Sequence, residues 1–229
     1  MKKLICVVGP TACGKTKMGV LLAQRYDGEV VSCDSMQLYR GMVIGTAAPT
    51  PEETEGVPHH MVGVIDPAEP YSAARYAEDA GRCVDDILAR GKQPIIVGGT
   101  GLYFSALLRG LDGRWTMPPP EYPVVQVCRE TLRRRIAERL DAMFAAGLEE
   151  EKRRLHETYP RFSRTASLAI GYREGDTKEK IYVRTCHLAK RQDTWFRHQA
   201  TPIYVPPDVA AVLECWRTRG PWPVDFPDA

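Results

Sequence analysis

Short apolar runs alternate with amphipathic stretches along the first half of the chain. Three of the runs predict strands: Leu4–Val8, Glu29–Asp34 and Pro94–Val97. Two stretches between them have helical spacing: Met18–Tyr26, and a longer one that Ser72 can cap and that Gly91 ends after Arg90. Strands that alternate with helices are typical of a parallel α/β sheet flanked by helices, and we predict that fold class here.

The second half of the chain has longer helical patterns. They predict helices over Thr131–Ala146 (ended by Gly147), over Lys178–Gln199 and from Asp208 toward Arg219. Short strands are predicted at Val124–Val127 and Pro202–Val205. A proline-rich break near residues 113–123 separates the halves. We therefore predict an α/β core over 1–113, a linker over 114–123 and a helical C-terminal part over 124–229 that completes the core.

The composition of the 229 residues is ordinary for a globular protein, with 44% hydrophobic and 26% charged residues. No apolar run approaches membrane-spanning length, and the N-terminus is too short for a signal peptide. The seven cysteines form no C-x-x-C pair, and several lie in apolar stretches, which predicts reduced core thiols. We expect a cytoplasmic protein that has no membrane partner and is a monomer.

The net charge of +2 alone indicates no polyanionic partner, but its distribution is uneven. Five arginines lie between Arg129 and Arg139, and a second basic stretch runs from Arg184 to His198. Helical spacing places Arg184, His187, Arg191, Thr194 and His198 on one stripe, beside Trp195 and Phe196. The stripe favours a large anionic partner. Solvated helix faces and a buried aromatic pair are the alternative interpretation.

The segment Gly9–Thr16 has the sequence of a phosphate-binding loop, with a predicted strand before it and a helix after it. In such a loop, successive backbone N–H groups surround an anion at a helix N-terminus. Lys15 adds a positive charge, and the Thr16 hydroxyl can reach a magnesium ion. The loop does not identify the phosphate compound, because kinases, NTPases and some transferases share it.

Polar residues follow the other two strands at the same predicted edge of the sheet, where ligands bind in open parallel sheets. Asp34 follows the second strand and is a candidate magnesium-water ligand or general base, or else a residue that caps the next turn. The third strand ends in Gly98-Gly99-Thr100-Gly101. Phosphate-loop hydrolases usually have an acidic residue there, so its absence weakens an ATPase interpretation.

Taken together, these motifs resemble the tRNA dimethylallyltransferase (isopentenyl-tRNA transferase) family. The similar segments, in chain order, are Gly9–Thr16, Asp34–Tyr39, Ile44–Ala47, Val57–His60, Gly98–Tyr103, Ala169–Glu174 and Ala189–Arg197. They cover nearly the whole chain. The family transfers a dimethylallyl group from its diphosphate to the exocyclic N6 amine of the adenosine 3′ of the tRNA anticodon, and it uses Mg²⁺.

The resemblance implies a role for each matching residue. Asp34 is implied as the general base, with Lys15, Thr16 and Thr100 as further catalytic residues and Thr16 as the metal ligand. The implied diphosphate-binding residues are Gly9, Pro10, Thr11, Ala12, Cys13, Gly14, Lys15, Thr16 and Arg139. The implied tRNA-binding residues are Asp34, Ser35, Met36, Gln37, Thr100, Ala169, Ile170, Gly171, Tyr172, Arg173, Thr185, Lys190, Arg191 and Gln192.

The sequence departs from the family pattern at four places. Cys13 stands where the family usually has serine, and Ala48 where lysine is common. The helical insertion domain that grips the anticodon arm has no counterpart near 113–118, and the stretch after Glu174 is shorter than the resemblance implies. Either the protein is a shortened member of the family, or the natural protein has segments that this sequence lacks. Because phosphate loops work mainly through their backbone, we expect diphosphate binding to survive the first change.

Three other functions remain open from the sequence. An adenylate isopentenyltransferase would use AMP, ADP or ATP as acceptor, although such an acceptor needs no basic C-terminal half. A nucleotide kinase would transfer a phosphoryl group from ATP. An RNA-binding protein with a regulatory nucleotide site would bind tRNA without altering it.

Overall fold

The computed structural model describes residues 4–109, 123–198, 203–208 and 210. Within these, six parallel strands form one sheet in the order β3-β2-β4-β1-β5-β6. The strands are β1 (Ile5–Val8), β2 (Gly28–Cys33), β3 (His59–His60), β4 (Gln93–Gly98), β5 (Pro123–Val125) and β6 (Ile203–Val205). The predicted parallel α/β fold is confirmed.

Seven α-helices lie in the described ranges, together with one short 3₁₀ turn at Ala166–Leu168. The helices are α1 (Lys15–Arg25), α2 (Pro51–Thr54), α3 (Ala73–Ala89), α4 (Gly101–Arg109), α5 (Arg129–Ala145), α6 (Leu148–Thr158) and α7 (Lys178–Arg197). Helix α1 packs on β1, β2 and β4, whereas α3 packs on β2, β4 and α4. Helix α7 contacts both α4 and α5.

The central strands are buried on both faces, which explains their continuous apolar sequences. Every residue of β1 is at most 1% exposed, and β2 is buried along its whole length. A parallel sheet covered on both faces requires such runs instead of alternating polar and apolar positions. The five predicted strands are therefore found within two or three residues of their predicted bounds.

Helix α3 begins as predicted, because the Ser72 hydroxyl accepts a hydrogen bond from the backbone N–H of Arg75. Gly147 ends α5 in the left-handed region, with a φ of 95°, and at once precedes α6. Helices α4 and α6 are absent from the sequence prediction. Helix α4 was missed because it begins at Gly101, directly after other glycines that favour a loop. Helix α6 was missed because Gly147 indicates the end of α5 but not the start of another helix.

The predicted long loop between Tyr39 and Tyr71 contains α2, β3 and several turns. It packs on the core through Leu38, Tyr39 and Met42, which are at most 1% exposed. Most of the predicted linker at 114–123 lies outside the described residues, as does nearly all of the helix predicted beyond Asp208. Among the described helices, none has the length and apolar character needed to cross a membrane.

Candidate functional site at the carboxyl edge of the sheet

Three chemically distinct loops leave the sheet at the same level. In the strand register, Val8 of β1 and Cys33 of β2 both lie beside Gly98 of the intervening strand β4. The next residues are Gly9 of the phosphate loop, Asp34, and Gly99. Since neighbouring strands lie about 4.8 Å apart, the loops after β1 and β2 start about 10 Å from each other. The loop that follows β4 lies between them.

The phosphate loop joins β1 directly to the N-terminus of α1. Gly14 precedes the helix in a left-handed conformation (φ 105°), which glycine adopts without strain. A side chain at Gly9 would place its Cβ 2.4 Å from the carbonyl oxygen of Val125 in β5. The Lys15 Nζ donates a 2.6 Å hydrogen bond to the Pro10 carbonyl, so the charged group lies over the loop.

The departure at Cys13 is accommodated inside the protein. Its side chain is 0% exposed, and its Sγ would lie 3.1 Å from a Cβ added at Gly9. The thiol therefore fills space beneath the loop, and the backbone of the loop remains available for an anion. This position is compatible with the expectation that the change from serine preserves binding.

Two arginines of α5 reach the phosphate loop. One guanidinium N–H of Arg139 donates to the Thr11 hydroxyl at 3.4 Å. Arg135 lies one turn earlier and donates to the Cys13 carbonyl at 3.3 Å. Burial lowers the pKa of Arg139 from its ordinary value, and an anion beside it would oppose that shift. The helix thus adds two positive charges to the loop.

The Asp34 loop is held in place from β4. The Thr100 hydroxyl accepts a 2.9 Å hydrogen bond from the Ser35 backbone N–H and lies 3.3 Å from the Ser35 hydroxyl. Asp34 accepts the Met36 N–H at 2.9 Å through one carboxylate oxygen, Oδ1. The turn-capping role is therefore present, and it leaves Oδ2 available for other chemistry.

Gln37 is already engaged by its own protein. Its side-chain oxygen accepts from the Ser32 hydroxyl at 3.0 Å, and its amide nitrogen donates to the Ala47 carbonyl at 3.0 Å. The side chain thereby connects β2 to the segment that follows the Asp34 loop. Direct contact between this amide and a tRNA base would require these bonds to rearrange.

The glycines at the end of β4 and just after it pack against protein groups. A Cβ at Gly98 would lie 2.1 Å from the Cys33 carbonyl oxygen, and one at Gly101 would lie 2.1 Å from the Trp195 ring. Trp195 also meets Phe196 edge to face, with ring centroids 5.0 Å apart. Of the two interpretations of Trp195, the structure supports packing, because the ring contacts the start of α4.

Helix α7 presents part of the predicted basic stripe to solvent. A cavity of about 570 Å³ lies along it, lined by His187, Lys190, Arg191, Thr194, Trp195 and His198. Lys190 and Arg191 are exposed. Within the described ranges neither has a carboxylate partner. Arg184 differs, because it forms an ion pair with the buried carboxylate of Asp176, so its role in the fold corrects its assignment to a free basic face.

The segment Ala169–Arg173 is expected from the resemblance to touch tRNA, but three of its five residues are buried. Ala169 and Tyr172 are 1% and 2% exposed, and Gly171 is also buried. The Gly171 N–H donates to Asp176 at 3.0 Å. The side chains of Ala169 and Tyr172 therefore offer little surface to tRNA in this structure, and contact between this segment and tRNA remains a prediction. Ile170, Arg173 and Thr185 are partly exposed.

Glu151 is a site-supporting residue that sequence reasoning missed. Its carboxylate is buried in α6 and accepts the backbone N–H groups of Val43, Ile44 and Gly45 at 2.9–3.3 Å. The hydroxyl of Tyr172 donates to the same carboxylate. These bonds fix the segment Ile44–Ala47 that Gln37 contacts. Glu151 is one of three glutamates in the first turn of α6, and nothing in the sequence distinguishes it from the other two.

The donor atoms near the loop suit a hard cation. Thr16 offers a hydroxyl oxygen in the first turn of α1, and Mg²⁺ is commonly bound by one or two protein oxygens together with substrate phosphates. Among the described residues, no three or more His, Cys, Asp and Glu side chains gather into a metal site. Thr16 thus fits as a ligand to a phosphate-bound ion.

Comparison with known proteins identifies the family. The IPP transferase model matches residues 37–126 and 115–199, and the isopentenyl transferase model matches residues 2–62. The chain belongs to the IPP transferase family. The two IPP transferase segments overlap over residues 115–126, at the proline-rich break.

Its relatives in the IPP transferase family are similar over most of their length. A tRNA dimethylallyltransferase of Exiguobacterium sp. is 36% identical over 284 aligned positions, with 90% of this chain and 91% of that protein covered. One from Streptomyces avermitilis is 37% identical, with 85% and 87% covered. The alignment of 284 positions exceeds the 229 residues of this chain, so the relative carries residues without a counterpart here.

The structure of the full-length tRNA isopentenylpyrophosphate transferase of Bacillus halodurans has the same fold. It superimposes with a TM-score of 0.83 at 30% identity, and 95% of each chain is covered. The fold and family that the motifs implied are therefore confirmed. The roles of the individual IPP transferase site residues remain predictions.

Proposed function

We propose that this protein transfers a dimethylallyl group from dimethylallyl diphosphate to N6 of the adenosine 3′ of the anticodon in tRNA. The relatives are named for this activity. The observation that carries the proposal is the strand register. Gly9 and Asp34 follow strands that flank Gly98 at the same level, which sets a diphosphate loop and a carboxylate at one edge of the sheet, on either side of the loop that follows β4.

The diphosphate occupies the phosphate-loop side of this edge. Backbone N–H groups at the start of α1, the Lys15 ammonium and the Arg139 guanidinium supply positive potential where negative charge develops on the leaving group. Thr16 would hold a magnesium ion, and such an ion, when bound, neutralises part of the diphosphate charge. The group bound by the phosphate loop is thus the diphosphate leaving group of the prenyl donor, and not a nucleotide that supplies energy.

The acceptor occupies the Asp34 end. In the proposed step, the adenine N6 attacks the allylic C1, the C1–O bond breaks, and pyrophosphate leaves with the electron pair. The Asp34 carboxylate accepts the N6 proton, because an aromatic amine is too weak a nucleophile without a base. The target base must first leave its stack, as base-modifying enzymes require.

The basic surface of α7 suits the RNA backbone. Lys190 and Arg191 are exposed beside the cavity of about 570 Å³, where charge rather than shape would govern affinity. A mononucleotide acceptor needs no such surface, which disfavours the adenylate alternative. The kinase alternative is disfavoured because β4 ends in Gly98-Gly99-Thr100, without an acidic metal ligand.

A single assay separates the proposals. The protein is incubated with radiolabelled dimethylallyl diphosphate, Mg²⁺ and unmodified tRNA, and digested RNA is examined for labelled adenosine. We expect label at one adenosine 3′ of the anticodon. Label in AMP instead would favour the adenylate enzyme, and ATP-dependent phosphoryl transfer would favour the kinase. Absence of label from RNA contradicts the proposal.

A further inference from the structure

Helix α7 inserts one polar side chain between the phosphate loop and the loop that follows β4. The side-chain oxygen of Gln192 accepts the backbone N–H of Thr11 at 2.8 Å, and its amide nitrogen donates to the carbonyl of Gly99 at 3.1 Å. Thr11 belongs to the phosphate loop after β1, and Gly99 to the loop after β4. One amide therefore fixes the distance between them.

The contact is closely fitted. A Cβ at Gly99 would lie 2.4 Å from the Gln192 amide nitrogen and 2.8 Å from the Gly9 carbonyl oxygen. Residue 99 must therefore lack a side chain for Gln192 to reach both loops. Because N–H···O hydrogen bonds span donor–acceptor distances of only about 2.7–3.2 Å, the bridge tolerates little change in length.

The bridge extends to the acceptor side. Thr100 follows Gly99 and holds the Ser35 N–H at 2.9 Å, next to Asp34. Gln192 thus connects the donor loop, through two residues of the β4 loop, to the proposed base. Its exposed neighbours Lys190 and Arg191 lie on the RNA-facing side of the helix, whereas Gln192 is half-buried and turned inward.

We propose that Gln192 is a positioning residue that sets the spacing of the diphosphate and acceptor loops, and not a tRNA contact. This inference rests on the proposed function for its effect on transfer. Gln192 uses its oxygen and one of its two amide N–H groups within the protein. Its bond to Thr11 holds the phosphate loop in place, so its loss should weaken diphosphate binding.

Two variants test the inference. Gln192→Met keeps the side-chain length and removes both hydrogen bonds, whereas Gln192→Asn keeps the amide but is one methylene too short. Gln24→Met is the matched control, since Gln24 is an exposed glutamine on α1 that bonds only Glu55 among the described residues. Three quantities are measured: the single-turnover rate with saturating substrates, the tRNA Kd, and the Kd of inorganic pyrophosphate with Mg²⁺.

We expect both Gln192 variants to lower the single-turnover rate about 10-fold to 100-fold, since small misplacement of reactants has effects of that size. The pyrophosphate Kd should rise about threefold to tenfold, the equivalent of about one hydrogen bond. The tRNA Kd should change less than about twofold, which is below the effect of one hydrogen bond. Gln24→Met should match the wild type in all three.

Two results would overturn the inference. One is a tRNA Kd weakened tenfold or more with an unchanged rate at saturation, which would make Gln192 an RNA contact. The other is wild-type behaviour of both variants. If Gln192→Met does not fold, Gln192→Asn decides. If even the wild type transfers no prenyl group, the proposed function fails, but the pyrophosphate measurement still tests the positioning role.

Discussion

The hydroxyl of Tyr172 donates a 2.6 Å hydrogen bond to the buried carboxylate of Glu151 and accepts the Gly45 N–H at 2.9 Å. The two side chains together hold the turn before the Ile44–Ala47 segment. Burial and the adjacent carboxylate raise the pKa of Tyr172 well above its ordinary value, so the phenol stays protonated and donates.

Tyr172→Phe should destabilise the fold. The variant leaves a buried carboxylate and a backbone N–H each short of one partner, which costs about 1–3 kcal/mol of unfolding free energy. Urea unfolding measures the loss, and Glu151→Gln with the double variant should show non-additivity. Glu149→Gln, at an exposed position of the same helix, is the control and should change stability by less than about 0.5 kcal/mol. Additive losses would mean that the two groups act independently.

Asp34→Asn should abolish prenyl transfer without unfolding the loop. Asparagine keeps an oxygen that can accept the Met36 N–H, and only the proton-accepting carboxylate is lost. General-base removal typically lowers rates about 10²-fold to 10⁴-fold. Single-turnover transfer and tRNA binding are measured together. Asp34→Ala removes the turn bond as well, so it should be less stable than Asp34→Asn. Turnover retained by both variants would remove Asp34 as the base.

Charge reversal at Lys190 and Arg191 should weaken tRNA binding and flatten its salt dependence. Removing one cation–phosphate interaction reduces the slope of log K against log salt by about 0.7–0.9. The double variant Lys190→Glu, Arg191→Glu is titrated with tRNA between low and moderate salt. Arg184 is unsuitable for this test, because its reversal would leave the buried Asp176 without its cation. An unchanged slope would indicate that this face of α7 is only solvated and does not contact RNA.

Two glycine substitutions should have opposite effects on stability. Gly101→Ala would place a Cβ 2.1 Å from the Trp195 ring, which requires repacking and costs about 1–3 kcal/mol. Gly81→Ala, inside α3, meets nothing within 4 Å and should stabilise the helix by about 0.4–1 kcal/mol. Thermal unfolding of both variants gives the comparison. A stabilised Gly101→Ala would contradict the packing role of Trp195.

Stability should depend on pH through Glu29. Hydrogen bonds from Arg90, and one with His60 at 2.6 Å, lower the pKa of this buried carboxyl to about 2. A depressed folded-state pKa stabilises the protein above the ordinary value near 4.5, and this contribution disappears as pH falls toward 2. Glu29→Gln should therefore cost about 1–3 kcal/mol at pH 7 and progressively less below pH 4.5. A pH-independent difference in denaturant unfolding would contradict this.

The sequence predicted the sheet well and the supporting contacts poorly, for one physical reason. Strands such as β1 and β4 are recognisable in the sequence as uninterrupted apolar runs, because helices cover both faces of the sheet. Gln192 and Thr11 are 181 residues apart, and Glu151 and Ile44 are 107 apart, so no local pattern relates them. Likewise, the glycines at 99 and 101 indicated close approach, but the approaching groups are Gln192 and Trp195.

The position of β5 and β6 in the sheet limits how the helices between them could be exchanged in evolution. These two strands form one edge of the sheet, and the chain between them contains α5, α6 and α7. The basic helices are therefore a long crossover within a single sheet. Exchange of these helices for those of another protein would have to preserve both flanking strands, so substrate range should evolve by substitution on these helices more readily than by recombination of modules.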